Sequence, residues 1–168
     1  LFRSPFSIRA LLEDRARYLV PMYQRNYAWG EGEITQLLQD VLDYQQKLVS
    51  GKGPQTYYIG TLVVFARDDG SFEVIDGQQR FTTLSLLANW LKHHAIDSVD
   101  MSWYQTINLA FESRPISSHT FERLWQGVAP YDLRGSTFNE GLVNGFELID
   151  KAMADLGLVG AKLTAFCD

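Results

Sequence analysis

FEVIDGQQRFTTLSLL, residues 72–87, decides how the rest of the chain is read. Phe72, Val74 and Ile75 make a short β-branched and aromatic run, which reads as a strand. Asp76-Gly77 is a turn signal, since Gly tolerates positive φ and Asp can hydrogen-bond the backbone ahead of it. Leu84, Leu87, Ala88 and Leu91 then recur at helical spacing, with Phe81 and Trp90 beside them. The unit is strand, tight polar turn, helix. Such a unit aims unpaired backbone N–H groups and the positive end of a helix dipole at whatever lies over the turn.

The side chains at the turn suit that geometry. Gly77 leaves room for close approach, and Arg80 adds a planar, permanently charged fork matched to phosphate oxygens. Thr82 and Thr83 offer hydroxyls that either cap the helix or bind the same anion. Gln78 and Gln79 are adjacent amides able to engage a base edge, a phosphate or an attacking water. An ordinary Asx turn capping a buried helix, with Arg80 paired to a surface carboxylate, fits the same residues. The physics leaves both readings open. No G-x-x-x-x-G-K-[ST] loop is present, which excludes a Walker-type site.

Three strings occur in order along the first half of the chain: Tyr23-Gln24-Arg25 with Tyr27 and Trp29, then Tyr58-Ile59-Gly60-Thr61, then Ile75 to Leu84. Together they resemble the N-terminal domain of GmrSD-type restriction proteins. The resemblance implies an α+β fold, ParB/sulfiredoxin-like, with a small mixed sheet and packed helices. Residues 1–96 would carry this core, and 97–168 a helical extension. It further implies a phage-defence role on modified DNA, with cleavage supplied by a separate C-terminal nuclease domain or subunit. Sulfiredoxin keeps its reactive cysteine in the corresponding turn; a Gln stands here, so peroxiredoxin-repair chemistry is excluded.

On that basis the expected function is nucleoside triphosphate binding and Mg²⁺-assisted hydrolysis by a sensor domain. Arg80 and the amides from Gly77 to Phe81 would hold phosphates, with Gly60, Thr61, Thr82 and Thr83 around them. Asp76 would bind Mg²⁺ or orient water, and Gln78 or Gln79 would position water or ribose. Tyr23 would supply a stacking face, and Gln24 and Arg25 polar readout. The alternative is a DNA-binding module that recognises a modified backbone or base without hydrolysis. A nuclease working directly from this pocket would need a general base, and only Asp76 is near in sequence.

Composition narrows the class. At 168 residues the chain fits one compact core, with 46% hydrophobic and 21% charged residues. A formal charge of −5 argues against coating DNA through bulk electrostatics. Residues 1–30 differ, carrying Arg3, Arg9, Arg15, Arg17 and Arg25 against Glu13 and Asp14, a local +3. The single Cys167 excludes an internal disulfide or cysteine-based metal cluster. Neither a long apolar run nor a signal-peptide core is seen, so a cytoplasmic location is expected.

Elsewhere, Ser7 reads as the cap of a short helix, and Tyr18 to Val20 as a strand stopped by Pro21. Ile34 to Val49 gives a long amphipathic helix whose polar side includes Asp40, where related sequences often keep an acid. Residues 52–55 read as a loop and Tyr57 to Ala66 as a strand, with a hairpin turn at Asp68-Asp69-Gly70. Antiparallel pairing into Phe72 would bring Gly60-Thr61 close to Asp76-Gly77. Trp103 to Glu112, His119 to Trp125, Ser136 to Leu156 and Val159 to Phe166 read as helices. Arg114, after Phe111-Glu112, resembles a family arginine downstream of the motif, and the resemblance implies that it could reach the same pocket. His93, His94 and His119 show no metal-ligand spacing, and the ending at Asp168 reads as an interrupted pattern.

Overall fold

The computed structural model describes residues 6–52 and 56–167. Arg3, Gly53 to Gln55 and Asp168 lie outside that set, and with them most of the expected 52–55 loop. The described chain runs α1 (Ile8–Glu13), β1 (Tyr18–Val20), α2 (Glu31–Val49), β2 (Val63–Ala66), β3 (Phe72–Asp76) and α3 (Gln78–His94). It continues through β4 (Leu109–Phe111), α4 (Pro115–Trp125), a single 3-10 turn at Pro130–Asp132, α5 (Glu140–Asp155) and α6 (Gly160–Cys167). Ser7 caps α1 by accepting from Ala10 N at 3.0 Å. Asn139 likewise caps α5 through Leu142 N at 3.1 Å, and so that helix starts later than Ser136.

The sheet has the order β2-β3-β1-β4. β1 runs parallel to both β3 and β4, and β2–β3 is an antiparallel hairpin. This is a small mixed sheet in an α+β fold. Two expectations about its strands need correction. The stretch from Tyr57 does not enter the ladder until Val63, because Gly60 adopts φ +141°, outside the strand region, and Tyr57 turns away to stack on Tyr44. Trp103 to Glu112 is not a helix. Ile107, Leu109 and Phe111 alternate, and β1 accepts Leu109–Phe111 as a fourth strand. Tertiary pairing overrides local propensity there.

One sheet face is packed and the other is open. Tyr18 stacks on Phe72 at 5.4 Å and meets the edge of Phe81 on α3 at 5.3 Å, over the fully buried Val74. Phe65 and Ile75 stay exposed on the far side. α3 is the central element: from Gln78 to Leu91 all but Arg80 and Leu87 are buried. A helix apolar and small-polar all round belongs in the interior. It packs on α4 and α5, and α5 in turn packs on α2. Trp90 Nε1 donates to Asp150 on α5 at 2.8 Å. Strand β4 and helix α5, both from beyond residue 96, thus complete the sheet and the core.

Candidate functional site

Gly77 ends β3 and starts α3 in the left-handed region, φ +87°. A Cβ there would sit 2.6 Å from Thr61 O, so the crossing of residues 61–62 over the turn requires glycine. Val63 is in register with Asp76, and this places Gly60-Thr61 beside the turn as the hairpin predicts. The first helical hydrogen bond is Phe81 N to Gly77 O at 3.0 Å. The Phe81 amide is therefore spent, which corrects its assignment to a ligand. The amides of Gln78, Gln79 and Arg80 precede that bond and have no intrahelical acceptor.

The two glutamines hold protein, not solvent. Gln79 clamps the loop after β1 at both ends of its amide: Nε2 donates to Asn26 O at 3.0 Å, and Oε1 accepts from Ala28 N at 2.8 Å. Gln78 Nε2 donates to Arg25 O at 2.7 Å, while its Oε1 is buried and without a partner. Thr83 is 1% exposed and donates to Gln79 O at 2.9 Å while meeting the Tyr27 hydroxyl at 2.8 Å. Burial pushes that phenol up to about 12. Thr82 is fully buried, its hydroxyl unpartnered. Both threonines thus lie inside the helix packing.

The loop is held from other directions too. Gln24 Nε2 donates to Ile75 O at 2.8 Å, and Tyr23 OH to Glu73 Oε1 at 2.5 Å. Arg114 donates to Met22 O at 3.0 Å and to Gln24 O, so it reaches the loop's backbone. Glu73 also receives Arg67 at 2.6 Å, and Arg67 extends to Glu112 at 2.7 Å. The Tyr23 hydroxyl, then Arg67, hold the Glu73 carboxyl below the usual glutamate range. Nothing in the sequence spacing announced this four-residue network. Arg25 itself is exposed and forms no ion pair with Glu31 or Glu33. Glu31 pairs with Lys151, and Glu33 accepts from Gly30 N at 3.0 Å.

Two charges at the turn stay uncommitted. Asp76 is exposed at the end of β3, and no hydrogen bond or ion pair engages its carboxylate among the described residues. Arg80 is half-buried, its guanidinium 6.0 Å from the centre of the Trp29 ring and pressed against Gly60, where a Cβ would overlap it. Among the described residues it too has neither hydrogen bond nor ion pair. Trp29 packs on the core as expected and additionally faces this arginine. A cleft of about 550 Å³ opens beyond the loop, lined by Asn26, Arg114, Ser117 and Asn139 among others, but not by Asp76 or Arg80. No group of three or more His, Cys, Asp or Glu that could hold a metal exists among the described residues.

An α+β domain with an unpaired guanidinium at a strand–turn–helix is thus what the fold and site define. The family model for the GmrSD restriction endonuclease, N-terminal domain, matches residues 8–155, and the chain belongs to that family. Membership places it in phage-defence DNA restriction and implies association with DNA and a C-terminal nuclease domain. No curated protein and no solved structure matches it significantly. No helix among the described residues is long and apolar enough to cross a membrane.

Proposed function

We propose that this domain binds a nucleoside triphosphate over the Asp76–Arg80 turn and hydrolyses it, as the sensor half of a restriction enzyme acting on modified DNA. The observation that carries the reading is Arg80. Its half-buried guanidinium faces Trp29 and Gly60 and makes no hydrogen bond or ion pair with the described residues, which leaves its donors open to a ligand, and its fork matches phosphate oxygens. The free amides of Gln78, Gln79 and Arg80 point the same way, at the positive end of α3. The ParB-like character of the fold belongs to this reading.

Asp76 is the side chain that would hold Mg²⁺. One exposed carboxylate fits a cation that keeps most of its waters and takes its other ligands from phosphates. Bound there, the metal would neutralise phosphate charge. Asp76 would also orient the attacking water. Gln78 and Gln79 act as positioning residues, since their amides fix the loop that walls the site. Thr61 and Gly60 border the phosphates, with Gly60 admitting the arginine.

A second reading rests on the loop's outer surface. Tyr23 is 67% exposed, and two residues on Arg25 is exposed and free of any ion pair, though close enough for its charge to add to the backbone hydrogen bonds that lower the Glu33 carboxyl. These two would contact modified DNA, with or without nucleotide hydrolysis. A thermal-shift panel of nucleoside triphosphates with and without Mg²⁺ tests the first reading. Stabilisation by triphosphate that disappears in Arg80→Ala is the expected result. Unchanged melting with every nucleotide, together with DNA binding that weakens steeply with salt, would leave the DNA module alone.

A further inference from the structure

Tyr57 and Tyr58 are neighbours in sequence, and the fold treats them in opposite ways. Tyr57 stacks on Tyr44 of α2, ring centres 5.3 Å apart, and so ties its segment to that helix. Tyr58 is 74% exposed, and among the described residues its ring meets no other ring and no cation. Its position is nevertheless held at both ends. The backbone enters from the Tyr57 anchor, and the Tyr58 hydroxyl shares a hydrogen bond with Thr61 Oγ1. The side chain therefore runs alongside Ile59 and Gly60. Gly60 is where the Arg80 guanidinium lands, since a Cβ there would be 2.3 Å from its Nη1. Thr61 is where the hairpin crosses the turn, its carbonyl oxygen 2.6 Å from a Cβ built on Gly77. Two contacts thus link Tyr58 to the turn, hydroxyl to Thr61 and Thr61 to Gly77, and Arg80 adjoins the residue between.

A single exposed aromatic is ordinary on its own. Here the ring is pinned beside a guanidinium that makes no hydrogen bond or ion pair with the described residues. In a nucleoside triphosphate the flat base lies at the far end from the terminal phosphate. We propose that Tyr58 is the base-stacking residue of the site, its ring covering the base of a nucleotide whose phosphates lie on Arg80. The inference rests on the nucleotide reading above and adds a base-binding determinant to it. The Tyr58 hydroxyl is already engaged by Thr61, so the ring reads the face of a base and not its edge. Every base has such a face, so the site requires a base without selecting which one. A ring held in place before the ligand arrives also lowers the ordering cost of binding.

The test is calorimetric titration of wild type, Tyr58→Ala and Tyr58→Phe in the presence of Mg²⁺. The probes are a purine and a pyrimidine nucleoside triphosphate, a short single-stranded DNA, and ribose 5-triphosphate, which keeps the sugar and phosphates but lacks the base. Wild type should bind both nucleotides at least about fivefold more tightly than ribose 5-triphosphate, the lower end of what an aromatic stack on a base contributes. Tyr58→Ala should bring the nucleotides down to the ribose 5-triphosphate level, with melting temperature and ribose 5-triphosphate affinity unchanged. Tyr58→Phe keeps the ring and should keep the preference. Equal wild-type affinity with and without the base overturns the inference while the phosphate reading stands. So does a preference that survives Tyr58→Ala, or one that Tyr58→Phe loses as completely as Tyr58→Ala. Weaker DNA binding by Tyr58→Ala with nucleotide affinity intact assigns the ring to DNA and overturns it equally. Failure of every triphosphate probe to bind wild type removes the nucleotide reading and the inference with it.

Discussion

Within one five-residue turn, the amides and the charges have opposite fates. Gln78 and Gln79 end on the backbone of residues 25–28, at 2.7 to 3.0 Å. Asp76 and Arg80 make no hydrogen bond or ion pair among the described residues, Arg80 meeting only the Trp29 ring and Gly60. A neutral amide carries a donor and an acceptor, so it can satisfy a buried loop backbone without stranding charge. A guanidinium or carboxylate in the same place would need a counter-charge. The difference separates two jobs: the glutamines hold the loop, and on the proposed reading the two charged side chains are left for a ligand.

Substitutions should split along that line. The largest stability loss is expected for Gln79→Ala, which leaves Asn26 O and Ala28 N without their partner. Losing both bonds at a part-buried position should cost about 2–4 kcal/mol, read as a lower urea midpoint. A loss near zero would mean that the clamp is dispensable and the comparison false. Gly77→Ala comes next. Forcing a Cβ into the left-handed region costs about 1–2 kcal/mol, and contact with Thr61 O at 2.6 Å adds to it. The hairpin end and the helix start would move apart, with affinity for triphosphate falling alongside stability.

Arg80→Ala should show the opposite signature. Stability should change by less than about 1 kcal/mol, because no hydrogen bond or ion pair is lost. Triphosphate affinity should fall at least about tenfold, as expected for a charge-assisted bond. If the variant instead unfolds, Arg80 is a packing residue between Trp29 and Gly60. Measuring melting temperature and binding on one preparation distinguishes the two outcomes.

The unit at 72–87 was legible because its cues are local: β-branched strand, Asp-Gly turn, leucines at helical spacing. The capping of α1 and the proximity of Gly60-Thr61 to the turn followed from equally local rules. What escaped was non-local. The strand at Leu109–Phe111 carries a short alternation from Ile107, but its place in the sheet depends on the edge that β1 offers, which no window of sequence around it can reveal. Thr82 and Thr83 look like ligand hydroxyls when only the helix start is considered. Their burial is set by α4, α5 and the Tyr27 ring packing around α3. Asp40 was visible as an acid on a polar face, but its neighbour Tyr57 comes from a segment whose course Gly60 redirects.

The smallest effect is expected at the Arg67–Glu73–Tyr23 latch, and pH exposes it. Glu73 and Glu112 both sit below the usual glutamate value of 4.5, Glu73 through the Tyr23 hydroxyl and then Arg67, Glu112 through Arg67. A carboxyl whose folded value is depressed binds its proton more weakly when folded than when unfolded. Its stabilisation is therefore complete above 4.5 and is lost as pH falls through the lower, folded values. The melting temperature of wild type should exceed that of Glu73→Gln at pH 7, and the gap should close progressively below 4.5. High salt should narrow it as well, since these groups are reachable by solvent. Because the latch holds the loop from the Tyr23 side and not the Gln79 side, the variant should keep its triphosphate affinity. A gap that persists unchanged into strong acid would show that Glu73 works through packing, and loss of triphosphate affinity would place the latch on the ligand side of the turn.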